Sequence, residues 1–312
     1  MELYFSSPIA LVAAYGIFSD NLTKSIFVLP HNRGMPGTRF NRELIRQFQK
    51  ISQITARSLG IEYSEIEFHD YLRLKPDVIE SSLACNLNNA RNIIINGSDS
   101  YCIFGFGNYF RYVRTKIKLQ RLFRNNFKVH SGAKLYSYNQ YPENLKSPNE
   151  GINQSRVIQL LNRVAPNIFE GLGQNIESIV NEECILVLPP IYKYTGENFT
   201  LRFLQRVESM AKERDLKVFI KPHRNVDMNY SSFFTDKRLL LGEKLDFKFV
   251  PVEFFFTLKH VVYIMAVPSS SLALTGGIRT QVLVPKNRRL FRRSFLDQLP
   301  FLHSIGLKFE KI

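Results

Sequence analysis

Short apolar runs alternate with helical stretches along this chain, and the alternation breaks off once and then begins again. Glu2–Phe5 reads as a strand, followed by a helix-like run through Ile17. Ser25–Leu29 is a second apolar run that ends at Pro30, before a loop carrying Gly34, Pro36 and Gly37. Arg39–Leu59 has mixed charge at helical spacing and stops at Gly60, a C-cap residue. Glu62–Phe68 alternates strictly, as a half-buried strand does. Tyr101–Phe104 and Lys134–Tyr138 are two further short strands, with a basic helix between them. The stretch from Tyr141 to Ser178 breaks the pattern with Pro142, Pro148, Pro166 and many asparagines, and its later part reads as an interdomain connection. The alternation then restarts: strand Cys184–Leu188 with its Pro189–Pro190 end, helix Leu201–Arg214, strands Lys217–Ile220, Val261–Val267 and Gln281–Val284, and a helix-like Phe291–Ile305. Strands alternating with helices imply a parallel sheet covered on both faces. Two such series predict an α/β chain of two Rossmann-like domains, residues 1–178 and 179–312, facing each other across a cleft. Ligands of open α/β sheets bind beyond the carboxyl ends of the strands.

Size and composition agree with two folded domains. The chain has 312 residues, 45% of them hydrophobic, including 26 phenylalanines. That is ample apolar surface to offset chain entropy, which excludes a disordered chain. Cys85, Cys102 and Cys184 stand far apart with no CxxC spacing, so buried thiols in a reducing compartment are expected. No run reaches the ~18 apolar residues of a membrane-spanning helix. Pro8 to Phe18 is apolar, but Glu2 stands where a signal peptide carries positive charge, so the stretch reads as the first buried helix and the location as cytoplasmic.

The formal net charge is +15 and locally concentrated. From Ser100 to Pro142 there is no acidic residue, while Arg111, Arg114, Lys116, Lys118, Arg121, Arg124, Lys128 and Lys134 all fall there. A second run, Lys286 to Arg293, interleaves charge with Leu290 and Phe291. Such patches suit phosphorylated glycans or peripheral contact with the anionic inner face of a membrane, and a solvated helix face is the ordinary alternative. Nucleic acid is disfavoured as a partner because no nucleic-acid-binding module accompanies the charge.

Two strand ends carry the chemistry. The strand through Val218, Phe219 and Ile220 runs directly into Lys221-Pro222-His223-Arg224. A histidine at a strand's carboxyl tip can donate to a phosphate oxygen and offset charge on a leaving group, with Lys221 and Arg224 adding positive field. A satisfied loop histidine is the plainer alternative. Val261–Val267 runs into Pro268-Ser269-Ser270-Ser271-Leu272 and then an apolar stretch that reads as a helix. Serines at a helix start cap its N–H groups, and the same N–H groups form an anion site, so capping and phosphate binding share one geometry.

Lys-Pro-His followed by a Ser-Ser-Leu turn resembles the His-Pro and serine motifs of bacterial sialyltransferases of the lipooligosaccharide and capsule-polysialyltransferase kind. The resemblance covers most of the C-terminal half, including Ile185–Leu188 and Pro251-Val252-Glu253, and in the N-terminal half only the Tyr4–Pro8 opening. It implies a GT-B-like architecture and an inverting transfer of sialic acid from a CMP-sialic acid donor to a cell-surface glycan or glycolipid, with no cofactor or metal. By the resemblance, His223 and Ser269, Ser270 and Ser271 hold the CMP phosphate. The absence of any Asp-x-Asp fits a metal-independent enzyme.

The chain departs from that family at two places. His223 is followed by Arg224 rather than proline, although Pro222 precedes it. The family's acidic-acidic-Gly motif, which supplies the general base, is missing after Leu135–Tyr138, where Asn139-Gln140-Tyr141 follows. Glu150, directly before Gly151, is the first candidate base and Glu143 the second, each with a solvated loop carboxylate as its ordinary reading. Glu67-Phe68-His69-Asp70 reads as a strand end rather than a metal site, because neighbouring strand residues point to opposite faces. Gly105-Phe106-Gly107 lacks the third glycine of a dinucleotide fingerprint, and His31 reads as a loop histidine. Two other readings stay open: a CDP-glycerol polyol-phosphate transferase, which also pairs a strand-tip histidine with a serine turn, and an inactive GT-B relative that binds nucleotide or glycan.

Overall fold

The computed structural model describes residues 1–19, 21–29, 42–80, 83, 90–94, 133–137, 149–173, 175–191, 195–223, 229–241, 247–286, 302–303 and 305–312. The chain divides into two compact units, Met1–Ile168 and Phe169–Ile312, each built on its own parallel sheet.

The first unit runs β1 (Glu2–Phe5), α1 (Pro8–Phe18), β2 (Lys24–Leu29), α2 (Arg42–Leu59), β3 (Glu62–Glu67) and a single helical turn α3 (Phe68–Tyr71). It continues with β4 (Val78–Glu80), β5 (Asn92–Ile94), β6 (Lys134–Ser137), β7 (Asn149–Gly151) and α4 (Gln154–Gly171), within which the division between the units falls. The sheet order is β3-β2-β1-β4-β5-β6-β7 and every pairing is parallel. Helix α1 is apolar all round, and eight of its eleven residues are buried, as a helix covered on every side requires. A methyl group on its Gly16 would lie 3.2 Å from Val157 Cγ2, so this glycine is what lets α4 approach α1 closely. Helix α2 buries one stripe, including Leu44, Ile51, Thr55 and Leu59. Gly60 ends it with φ +74°, and the Ile61 amide closes on the Ala56 carbonyl, the C-cap expected from the sequence. The alternating β3 is an edge strand, which is why its outer positions are exposed.

The later part of Tyr141–Ser178, read from sequence as the interdomain connection, is regular structure: it holds β7, the 18-residue α4 within which the two units divide, and the short α5 (Ile176–Ile179). Val157, Leu161, Val164, Ala165 and Ile168 recur at helical spacing and are all buried. Pro166 sits on the exposed face of α4, where the loss of one backbone hydrogen bond is met by solvent. Three-residue strands such as β4, β5 and β7 carry too little periodicity to be read from sequence.

The second unit continues from α5 with β8 (Cys184–Leu188), α6 (Glu197–Arg214), β9 (Lys217–Ile220), β10 (Leu240–Leu241), β11 (Val261–Ala266), β12 (Arg279–Val284) and β13 (Lys308–Lys311). Its order is β10-β9-β8-β11-β12-β13, again all parallel. Several phenylalanines are fully buried in this unit. Phe169, Phe219, Phe247 and Phe255 form one cluster with centroid separations of 5.2–6.3 Å, mostly edge-on as aromatic quadrupoles prefer. Cys184 is fully buried and burial pushes its thiol up to about 12, as an inert core cysteine requires.

Tyr101–Phe104, the basic helix, the loop of His31 and Gly34, Gly105–Gly107, Cys85 and Cys102 lie outside the described residues, as do Asn287–Arg293 of the second basic run and most of Phe291–Ile305. No helix among the described residues is long and apolar enough to cross a membrane.

Candidate functional site

Because every strand of the second sheet is parallel, all their carboxyl ends lie along one edge. The chain moves from β8 outward to β9 and β10, then returns to the other side of β8 to form β11. A crevice opens at such a reversal, just beyond the strand ends. His223 follows β9 and the serine turn follows β11, so the two motifs flank the tip of β8, two strand spacings or about 10 Å apart. Fold topology thus brings together motifs that lie far apart in sequence.

The strand-tip segment is anchored from below. The Lys221 amide donates to Val187 O at 2.9 Å, extending the β8–β9 ladder by one residue. The Lys221 side chain is buried, and its Nζ donates to Pro222 O at 2.9 Å and Lys248 O at 3.1 Å. The ammonium also lies 5.8 Å from the Phe255 ring centroid. A buried cation is tolerated only with such partners. Lys221 therefore ties the His223 turn to the 247–250 turn, while its charge stays at the strand edge. His223 is half-buried at that edge. Arg224 lies outside the described residues.

Across β8, Ser269 is extended (φ −146°, ψ 138°) and makes no side-chain capping bond. The helix expected after the triplet is a five-residue 3-10 segment, Ser270–Leu274, rather than an α-helix. So short a segment contributes little macrodipole, and any anion affinity rests on individual amides and hydroxyls. Ser271 Oγ donates to Glu253 Oε1 at 2.6 Å. Its proton is thus committed to a carboxylate, which leaves its lone pairs to accept from a ligand donor. Glu253 lies in the first turn of the 3-10 segment Val252–Thr257, and sequence reading did not place it at the site. Only the tertiary fold carries it to Ser271, 18 positions away. At the tip of β8, Pro189 and Pro190 present no amide N–H, and the buried Tyr230 hydroxyl donates to Pro190 O at 2.9 Å.

The first sheet reverses direction in the same way, between β1 and β4. There the Ser6 and Ser7 amides at the start of α1 point to the carboxylate of Glu80, the last residue of β4. The candidate base Glu150 lies elsewhere, on β7 at the sheet edge, where it pairs with Lys134 Nζ at 2.9 Å. Both side chains of that pair are about half exposed. Glu143 lies outside the described residues. Glu67 ends β3 as the sequence predicts, and among the described residues no cluster of three or more metal-ligating side chains occurs.

No family model matches the sequence, and no curated protein matches it. Solved structures do. A UDP-GlcNAc 2-epimerase from Neisseria meningitidis, bound to UDP-GlcNAc, is 12% identical with a TM-score of 0.51, over 91% of this chain and 82% of that one. An α/β-galactoside α-2,3-sialyltransferase from Photobacterium phosphoreum is 10% identical over 99% and 98% of the two chains, with a TM-score of 0.49. A heptosyltransferase of E. coli with ADP is 11% identical over 97% of each chain, with a TM-score of 0.38. At such identities the likeness is one of fold: this chain has an α/β fold of two parallel-sheet, Rossmann-like halves of the GT-B kind.

Proposed function

We propose that this protein is a glycosyltransferase that holds a nucleotide-sugar donor at the carboxyl edge of its second sheet. The observation that carries this reading is the placement of His223 and the serine turn on either side of the β8 tip, at the point where the strand order reverses. A half-buried imidazole, a serine hydroxyl without a capping duty and a buried ammonium after β9 lie along one carboxyl edge suited to a phosphodiester. The sequence motifs narrow the proposal to an inverting, metal-independent transfer of sialic acid from CMP-sialic acid to a glycan acceptor.

In the proposed reaction the anomeric carbon–oxygen bond to the CMP phosphate breaks as a bond to the acceptor oxygen forms. The electron pair of the broken bond leaves with CMP, whose phosphate His223 stabilises by a charge-assisted hydrogen bond. The acceptor's hydroxyl proton passes to a carboxylate, and Glu150 and Glu143 are the two candidates for it. Glu150 must exchange its Lys134 partner for the acceptor to serve. Replacing each with Gln separates them: the base variant loses turnover about a hundredfold or more with CMP binding unchanged, and the other keeps it.

The Lys134–Glu150 pair favours one second reading, a GT-B relative that binds nucleotide without turnover. Thermal stability with CMP, CDP, UDP and GDP, on wild type and His223→Ala, is the first test. A shift with CMP that His223→Ala abolishes supports the donor site. CMP-sialic acid turnover, unchanged by EDTA, then separates the enzyme from the inactive binder. No shift with any nucleotide overturns both readings.

A further inference from the structure

The carboxyl edge of the first sheet is closed by a side chain of the protein itself. Glu80 is 1% exposed. Its Oε2 accepts from the Ser6 amide at 2.7 Å, the Ser7 amide at 3.0 Å and Ser6 Oγ at 3.2 Å. These donors belong to the turn between β1 and α1, with Ser7 the N-cap and Pro8 the first residue of an eleven-residue helix. Backbone amides at the first strand-to-helix turn, beside the reversal of strand order, are the position at which Rossmann-like sheets hold a ligand's phosphate. A carboxylate offers the same charge sign and the same acceptor oxygens as one face of a phosphate. Three donors converging on one buried oxygen leave no second anion room in this turn, and a like charge beside a buried carboxylate is repelled.

We infer that Glu80 is a built-in anion that fills the phosphate position of the first sheet, so that this edge excludes a second anion. The carboxyl edge of the second sheet buries a cation instead, the Lys221 ammonium after β9, held by backbone carbonyls. Glu80 is then a specificity-determining residue that bars an anionic group from the edge of the first sheet. The filling of the turn by an anion does not rest on the proposed function.

The test uses the full chain and no nucleotide. Glu80→Ala removes the anion and leaves the three donors. Its melting temperature should fall below that of the wild type. Sodium formate and inorganic phosphate, compared with chloride at equal ionic strength, should then raise it several-fold more than they raise the wild type. In a His223→Ala background, phosphate should give a saturable shift only when Glu80→Ala is also present. Equal responses of wild type and Glu80→Ala to formate and phosphate overturn the inference. If Glu80→Ala does not fold, Glu80→Gln carries the test: it keeps the shape and an acceptor oxygen but loses the charge. It should melt below the wild type without anion rescue, and a melting temperature equal to the wild type's overturns the inference. Because the readout is a simple anion, a failed CMP shift counts against the proposed function and leaves this result standing.

Discussion

The two sheets share one strand order around their reversal points and differ in the sign of the charge buried at their carboxyl edges. In the first, the Ser6 and Ser7 amides converge on the Glu80 carboxylate. In the second, the Lys221 ammonium donates to the Pro222 and Lys248 carbonyls, and the tip of β8 is a Pro-Pro pair without amide hydrogens. One edge is an amide cradle already filled by an anion. The other is a carbonyl cradle filled by a cation, on the same sheet edge as an imidazole and a serine turn. A common topology therefore does not make the two edges equivalent binding sites. Glu80 ends a strand that flanks the reversal of the first sheet, whereas Lys221 follows β9, one strand away from the reversal of the second.

The largest expected effect comes from the floor of the second edge. Phe255 touches Phe169, Phe219 and Phe247 and lies beneath Lys221. Phe255→Ala should cost about 3–5 kcal/mol by chemical denaturation, through lost burial and the cavity it leaves. A cost near zero would mean that the cluster does not support this edge.

Removing the cation itself sharpens the contrast of sign. Lys221→Met should destabilise by about 1–3 kcal/mol, because two carbonyls lose their donor. It should also reduce the CMP-induced shift and weaken that shift's dependence on salt. A CMP response equal to the wild type's would show that the buried cation does not contribute to anion affinity there.

A pH effect separates this edge from the rest of the second half. The Glu208 carboxylate on α6 is buried, which raises its proton affinity. Hydrogen bonds from Lys212, the Thr235 hydroxyl and the Thr235 and Asp236 amides outweigh burial and hold it at about 2, below an unperturbed 4.5. A carboxyl lowered in the folded state stabilises fully above its unfolded value, and that contribution is lost as pH falls from about 4.5 toward about 2. Over this window the melting temperature of the wild type should fall more steeply than that of Glu208→Gln. Parallel curves would remove Glu208 from the acid response.

The smallest expected effect is at β7. Lys134 and Glu150 are 53% and 44% exposed, and solvent screens their pair. Lys134→Ala should leave the melting temperature close to that of the wild type. A clear fall would make the pair structural and argue against Glu150 exchanging partners during turnover.

The residues that build the sheets were legible one segment at a time. Ile185–Leu188, Val218–Ile220 and Val261–Ala266 are continuous apolar runs because central parallel strands are buried on both faces. Gly60 marks the end of α2 because only glycine takes positive φ there without strain. The same local signals place His223 and Ser269 at strand tips. They fail where an element is too short to show a period, as in β4 and β7, and where Pro166 and asparagine obscure the apolar stripe of α4.

Sequence alone determined the alternation, its restart and therefore the two parallel sheets, because side-chain periodicity and chain-breaking residues act within a few positions. The partners of these charged side chains were decided by tertiary structure alone. Glu80 meets Ser6 across 74 positions, Ser271 meets Glu253 across 18, and Lys221 reaches Lys248 across 27. Each of these meetings depends on where strand order places a tip, and a one-dimensional pattern carries no record of which tips become neighbours.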